Sequence, residues 1–182
     1  MSSVVFLRAI NVGGTNLCKP AQLAKQLKKF DVVNVGAVGT FVVHGNVSES
    51  SLRKELAAQL AKHFKIKCEI MIASGAALMK TASKDPFAKQ PSGGEITRFM
   101  SVLHKPLPSP LVRRHSSLSL PSDKGWLLKI ITIEGQFVLG VYKREMKAIG
   151  QLGKLEKILG VPATTRSWNT IEKIVNILEA NR

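Results

Sequence analysis

The pattern of hydrophobic and polar positions in the first half of the chain predicts alternating strands and helices. Apolar runs rich in β-branched residues indicate strands, and apolar residues repeated every three or four positions indicate helices. The predicted strands are Ser3–Ile10, Val32–Val35, Thr40–His44 and Ile66–Ile72. Three helices are predicted: one that begins at Pro20, one over Ser48–Phe64, and a short one that Ser74 caps. This β-α-β-β-α-β order is typical of the ferredoxin-like arrangement, in which two helices pack on one face of an antiparallel sheet.

The second half repeats this alternation less regularly. Prolines and the Gly93-Gly94 pair indicate a linker over residues 84–95. The pattern after it predicts strands at Arg98–His104, Trp126–Ile133 and Gln136–Tyr142, a short helical turn in the proline-rich stretch between the first two, and helices at Leu152–Leu159 and Trp168–Ala180. We therefore predict an α+β protein with two tandem ferredoxin-like halves, residues 1–83 and 96–182, whose antiparallel sheets carry helices on one face.

Composition adds a strong positive charge to this picture. The 182 residues are 45% hydrophobic and 21% charged, which predicts an ordered core. With 27 basic and 12 acidic residues the net charge is +15, and such a field attracts nucleic acid, acidic proteins or phosphorylated metabolites. The basic residues are spread over both halves, a distribution that also fits a merely solubilising surface.

Other features bear on compartment and cofactors. No apolar run reaches the roughly 18 to 20 residues of a membrane-spanning helix, and the first residues do not resemble a signal peptide, so we expect a cytoplasmic protein without membrane association. Cys18 is expected in a loop where it could be exposed, and Cys68 in a strand as a buried thiol. Two cysteines and four scattered histidines predict neither a metal site nor any other cofactor.

Three stretches together resemble a bacterial family of proteins with a domain of unknown function, the one numbered 1697. The opening Leu-Arg-Ala-Ile-Asn-Val-Gly-Gly (7–14) resembles the family's Leu-Arg-Gly-Ile-Asn-Val-Gly-Gly. Asp85-Pro86-Phe87 and the Gly-Val-Pro-Ala-Thr-Thr-Arg-Ser-Trp-Asn-Thr segment (160–170) are similar to its mid-chain and closing motifs. The resemblance implies two ferredoxin-like halves and no established activity. Ala9 departs from the family's Gly. Many members carry Ser-Gly-Asn in the first hairpin, where this chain has Val38-Gly39-Thr40 or, in another alignment, His44-Gly45-Asn46.

The loop that follows the first strand is the first candidate site. Its Gly13-Gly14 pair allows backbone N–H groups to converge, and its polar and basic residues could complete a cradle for a phosphate or carboxylate. The candidate residues are Arg8, Asn11, Gly13, Gly14, Asn16 and Lys19. The stricter phosphate-binding glycine motifs are missing from the sequence. The alternative is a strand-to-helix turn in which glycine satisfies the backbone and the asparagines hold the loop together.

A second candidate patch combines basic and aromatic residues in the C-terminal half. It consists of Arg144, Lys147, Arg166 and Trp168. An arginine beside a tryptophan just before a helix could bind an anion or stack on a base. The alternative is that Trp168 fills a gap between helix and sheet, that Arg166 pairs with a carboxylate, and that the lysines are simply solvated.

Three functional hypotheses follow from these features. The first is a binding module that uses its basic surface to engage an anionic partner, nucleic acid or an acidic ligand, on a scaffold that often presents its sheet to RNA. The second is an enzyme or sensor for a small phosphorylated or carboxylated metabolite at the Arg8–Asn16 loop. The third is a structural or interaction protein without a ligand. Paired carboxylates and a nucleophile elbow are missing from the sequence, which leaves enzymatic activity undecided.

Overall fold

The computed structural model describes residues 2–11, 13–14, 16–90, 93–121 and 125–181. The chain forms two compact units. The first combines Met1–Lys80 with Glu172–Arg182, and the second is Thr81–Ile171. The predicted division had assigned all of residues 96–182 to the second half. In the structure residues 172–182 group with the first unit, where the Leu178 side chain lies close to Gly75.

The first unit contains a four-stranded antiparallel sheet. In chain order its elements are β1 Ser3–Leu7, α1 Pro20–Gln26, a 3-10 turn Lys28–Phe30, β2 Val32–Asn34, β3 Thr40–Val43, α2 Glu49–Phe64, β4 Ile70–Ser74 and α3 Gly75–Ala82, the last ending just beyond the unit's boundary. The strands are arranged in the order β2-β3-β1-β4. Helix α2 begins where predicted, because the Ser48 hydroxyl accepts a hydrogen bond from the Ser51 N–H and caps its first turn.

The second unit contains a five-stranded antiparallel sheet. Its elements are β5 Ile96–Leu103, α4 Ser109–His115, β6 Ser119–Leu120, β7 Leu128–Glu134, β8 Phe137–Lys143, α5 Met146–Leu159 and β9 Ala163–Ser167, followed by α6 Trp168–Glu179, which continues into the residues of the first unit. The strand order is β6-β7-β8-β5-β9. Four of these strands, β7-β8-β5-β9, repeat the rank order of the first sheet, and β6 extends the edge. The described residues thus form an α+β fold with two antiparallel sheets and six α-helices.

Neither sheet leaves a wide face open. Consecutive residues point to opposite faces of a strand, and yet Val4, Val5, Phe6 and Leu7 of β1 are all fully buried. The same is true of β5 from Phe99 to Leu103. A broad exposed sheet of the kind that many RNA-binding proteins use is therefore not available in the middle of either sheet.

Several elements differ from the prediction. Strand β1 ends at Leu7 instead of Ile10, and the short strand β6 was not predicted. Strand β4 begins at Ile70, four residues later than expected, although Ile66 is buried. Strand β9 was not predicted because its sequence Ala-Thr-Thr-Arg-Ser is largely polar, and only its pairing with β5 makes it a strand. Helix α5 begins at Met146, six residues before the predicted start. The sequence pattern did not indicate its first turns because two glycines and two exposed apolar residues obscure the helical period there.

Candidate functional site

The loop after β1 has an unusual backbone. Five of its described residues adopt left-handed φ angles: Ala9 (54°), Asn11 (56°), Gly13 (59°), Gly14 (75°) and Asn16 (49°). Glycine adopts this conformation without strain, and asparagine tolerates it better than most residues do. The run of Gly and Asn that made this segment recognisable is thus explained by its backbone.

The two asparagine side chains hold this loop together. The Asn11 amide donates hydrogen bonds to the carbonyl oxygens of Cys18 and Ala37, each at 2.8 Å. Its side-chain oxygen accepts a bond from the Cys18 N–H, also at 2.8 Å. Asn16 donates from its side chain to the Ala9 carbonyl at 3.1 Å. These amides are used inside the protein, as the structural alternative for this loop required.

The other residues predicted for this site are not arranged in a way that indicates a bound ligand. The Arg8 backbone N–H donates to the Glu69 carbonyl at 2.9 Å, and its side chain is partly buried. Lys19 is exposed immediately before α1. Gly13 and Gly14 are exposed, and a Cβ at either position would meet no atom within 4 Å. Glycine is favoured at these two positions by the positive φ angle and not by close packing.

Both cysteines differ from their expected settings. Cys18 is buried, although it lies in a loop, and burial raises the pKa of its thiol. Cys68 lies before β4 and is only partly buried, yet burial together with the neighbouring Cys18 raises its pKa to about 11. Both thiols are therefore protonated at neutral pH and are weak nucleophiles.

The second predicted patch is divided between the two faces of the second sheet. Ile96, Arg98 and Met100 of β5 point to one face, and Thr97 points to the other. Arg144 donates from Nε to the Thr97 hydroxyl at 3.2 Å, whereas Arg166 is paired with Met100 and shares its face. Lys147 is exposed near the start of α5. The structure therefore does not gather Arg144, Lys147, Arg166 and Trp168 into a single site.

Arg166 itself is a buried residue, only 7% exposed. Its guanidinium donates to the Thr164 hydroxyl at 2.8 Å and to the Thr165 carbonyl at 2.9 Å. Burial lowers its pKa to about 10, which leaves it charged at neutral pH. These contacts tie the guanidinium to its own strand.

Trp168 belongs to an aromatic contact that joins two of the recognisable motifs. Its ring lies edge-on to Phe87, with centroids 4.8 Å apart and planes inclined at 72°. The Arg98 guanidinium lies over the same Phe87 ring, 5.5 Å from its centroid. Phe87 is 1% exposed, so the segment predicted as a linker supplies a core residue. The interpretation of Trp168 as a packing residue is supported by this contact.

A second cation–aromatic contact was not predicted from the sequence. The Lys129 ammonium lies 4.3 Å from the centroid of the Trp126 ring, and the Lys143 ammonium lies 5.4 Å from it. All three side chains are partly exposed. We call these three residues the Trp126 cluster. The Trp126–Lys129 spacing is visible in the sequence, but Lys143 joins only because β7 pairs with β8.

The Trp126 cluster lies on the same sheet face as Arg98 and Arg166. Lys129 is paired with Val141, which is paired with Arg98, and Lys143 is paired with Ile96 two residues before Arg98. Four adjacent strands, β7, β8, β5 and β9, thus each place one cation on this face. We call Arg98, Lys129, Lys143 and Arg166 the basic face.

A shallow depression of about 310 Å³ adjoins the basic face at Lys143. It is lined by Gly94, Glu95, Ile96, Lys143, Arg144 and Glu145. The two carboxylates oppose anion binding at this end, and they leave the Trp126 side of Lys143 as the more favourable approach for an anion.

Two further findings concern membranes and metals. None of the helices in the described part of the chain combines the length and apolar character needed to cross a bilayer. Outside the few residues that are not described, no three His, Cys, Asp or Glu side chains are placed to hold a metal ion together.

Comparison with known proteins places the chain in a family. The model of the family described as "Protein of unknown function (DUF1697)" matches residues 1–125. The structure is similar to that of a conserved bacterial protein from Streptococcus pneumoniae, with a TM-score of 0.63 and 16% identity over 97% of this chain and 98% of that one. No curated protein matches. The structural likeness shows a shared fold, and the family match, which includes the opening motif and Asp85-Pro86-Phe87, shows that this chain belongs to the DUF1697 family.

Proposed function

We propose that this protein is a binding module for an anionic partner, and that single-stranded nucleic acid is the partner its surface fits best. The observation that carries the proposal is the Trp126 cluster, in which two lysine ammoniums are held at 4.3 and 5.4 Å from one tryptophan ring. Basic side chains next to a stacking platform are the combination by which proteins bind single strands without reading their sequence.

The cluster offers a nucleotide two complementary contacts. The two ammoniums lie at most about 10 Å apart, since both lie near the same centroid. A phosphate that draws them away from the ring leaves the Trp126 ring available to a base, and base–aromatic stacking contributes about 1–3 kcal/mol. A small acidic ligand would use the lysines without the ring. The cluster therefore favours a partner that carries both phosphates and bases.

The scaffold and the compartment are part of the same proposal. The repeated strand order supports the interpretation of both units as ferredoxin-like, the second with β6 added at its edge. Because each sheet is largely buried on both faces, we place the contact at the β7–β8 end of the second sheet and not across its middle. Two free thiols fit a reducing, cytoplasmic environment.

Fluorescence anisotropy with labelled single-stranded RNA and DNA, at low and moderate salt, tests the proposal. We expect Lys129→Ala/Lys143→Ala to weaken binding about tenfold and to flatten the slope of log K against log salt by about 1.4, because each phosphate contact on a single strand contributes about 0.7. Trp126→Phe should keep most of the affinity, and Trp126→Ala should lose it.

The matched control is Lys54→Ala/Lys62→Ala on the exposed side of α2, which removes the same charge from the other unit. If this control weakens binding as much as the Trp126-cluster variant does, the net charge of +15 and not the cluster accounts for the binding. Absence of binding at low salt overturns the proposal, and binding of mononucleotides or carboxylates alone would favour a small-ligand site.

The loop at Arg8, Asn11, Gly13, Gly14, Asn16 and Lys19 stays a prediction as a site for a phosphorylated metabolite. A thermal-shift screen with nucleotides and sugar phosphates tests it, and a ligand-induced shift that Arg8→Ala leaves unchanged would place the ligand elsewhere. The internal hydrogen bonds of Asn11 and Asn16 support the structural interpretation of this loop instead.

A further inference from the structure

The two cysteines of the sequence pack in the same hydrophobic core. Cys18 is 6% exposed and belongs to the core cluster of the first unit, and Cys68 is a partly buried residue that packs against this cluster. Both are free thiols. They are far apart in the sequence, so the fold is what brings two oxidisable sulfur atoms into one neighbourhood.

Strand pairing places Cys68 beside the start of the loop after β1. In the antiparallel pair of β1 and β4, Leu7 lies opposite Ile70, and the Arg8 N–H continues the ladder with a 2.9 Å hydrogen bond to the Glu69 carbonyl. The Arg8 backbone also forms a hydrogen bond with the Cys68 side chain. The Cys68 sulfur is therefore held next to the first residues of the loop.

Cys18 is held at the other end of the same loop. Its N–H donates to the Asn11 side-chain oxygen, and its carbonyl accepts from the Asn11 amide, each at 2.8 Å. The Asn11 N–H donates to the Asn16 carbonyl at 3.3 Å, which closes the loop upon itself. The loop thus returns Cys18 to the residues from which it started, and these are the residues beside Cys68.

The electrostatics of the two thiols agree with this placement. Burial is the main cause that raises the pKa of Cys68 to about 11, and the nearby Cys18 is the second. A like charge disfavours ionisation of a group only when the two lie close together. Neither cysteine lies in a helix or a strand, so the backbone on both sides can adjust to the Cα separation of about 4.4–6.8 Å that a disulfide requires.

We propose that Cys18 and Cys68 form an intramolecular disulfide under oxidising conditions, and that this bond clamps the loop after β1 to the segment before β4. The oxidant is a low-molecular-weight disulfide of the glutathione type. The Cys68 thiolate, which is the more accessible, attacks one sulfur of the oxidant and breaks its S–S bond, so that a mixed disulfide forms and one thiol leaves. The Cys18 thiolate then attacks the Cys68 sulfur, and a second thiol leaves. The two released thiols carry the electrons and protons that the two cysteines lose.

The protonation of the two thiols sets the rates of these steps. The thiolate is the attacking species, and both thiols are protonated at neutral pH, so we expect slow formation at pH 7 and faster formation at pH 9. A thiol of high pKa is also a poor leaving group. The bond should therefore be slow to open once it has formed.

Incubation of the reduced full chain with oxidised glutathione at pH 7 and pH 9, followed by mass spectrometry without reductant, tests the proposal. We expect a chain that is lighter by two hydrogen atoms, carries no glutathione, and yields a peptide pair joined through Cys18 and Cys68. Because the bond closes a loop of about 50 residues, the midpoint of thermal unfolding should rise by roughly 5–15 °C. Dithiothreitol should reverse both changes.

Cys18→Ala and Cys68→Ala are the matched controls, with circular dichroism confirming that each is folded. Each retains one cysteine and should accept at most one glutathione, with no rise of the midpoint on oxidation. A wild-type chain that ends with bound glutathione, as a disulfide-linked dimer, or unoxidised at pH 9 overturns the proposal. A Cys18–Cys68 bond that forms without raising the midpoint overturns the clamp, because an ordered loop was then not secured by it.

Discussion

The loop after β1 and the basic face of the second sheet both bring polar side chains together, but they use them differently. In the loop, the Asn11 amide makes three hydrogen bonds to neighbouring backbone groups. On the basic face, the Lys129 and Lys143 ammoniums lie over the partly exposed ring of Trp126. A side-chain amide that is hydrogen-bonded to the backbone stabilises the conformation of the loop. A lysine ammonium that contacts an exposed ring can instead move to a bound anion. The most recognisable motif of the chain is thus the less promising binding site.

The largest effect is expected at Phe87, which is almost fully buried and whose ring contacts the Arg98 guanidinium of the basic face. Phe87→Ala should lower the free energy of unfolding by about 3–5 kcal/mol, because it removes a buried ring together with its contacts to Trp168 and Arg98. Urea denaturation followed by circular dichroism measures the loss. Trp126→Ala is the control, since a partly exposed ring should cost far less. Equal losses would mean that Trp126 is also a core residue.

An intermediate effect is expected at Asn11, where the loop is held. Asn11→Ala removes three hydrogen bonds and leaves alanine at a left-handed φ, and we expect a loss of about 2–4 kcal/mol in the free energy of unfolding. Reaction with a thiol reagent gives a local measurement, because the released loop should expose Cys18 and make it react faster. If Asn11→Ala instead abolishes ligand binding at unchanged stability, the loop is a binding site and our comparison is wrong.

The smallest effect should be a gain at Ala9, where the family resemblance implies glycine. Ala9 has a φ of 54°, a conformation that costs an alanine about 1–2 kcal/mol. Part of that strain is offset by the greater freedom of glycine in the unfolded chain, so Ala9→Gly should stabilise the protein by about 0.5–1 kcal/mol.

The reverse change, Gly14→Ala, should destabilise the protein by a similar amount, since φ is 75° and no steric contact adds to it. Thermal unfolding of both variants measures the pair. If Ala9→Gly is neutral or destabilising, strain in this loop backbone does not explain its glycines.

Much of the fold follows from local pattern. The helix that ends at Phe64 and the two strands that precede it were predicted and are confirmed, and β1 was predicted but ends at Leu7 instead of Ile10. The elements that were not predicted are those whose residues are atypical of the structure they form. Strand β9 can be polar because its two threonine hydroxyls and Arg166 form hydrogen bonds within the sheet.

The sequence by itself determined the family, the α+β class, the positive charge and the conformational role of the Gly and Asn residues after β1. These depend on neighbouring residues, because backbone preference and hydrophobic period are local properties. Only the tertiary structure decided that Arg144 and Arg166 lie on opposite sheet faces, that Phe87 meets Trp168, and that Lys143 reaches Trp126. Such contacts depend on strand pairing and register between distant segments, which the local pattern of residues does not specify.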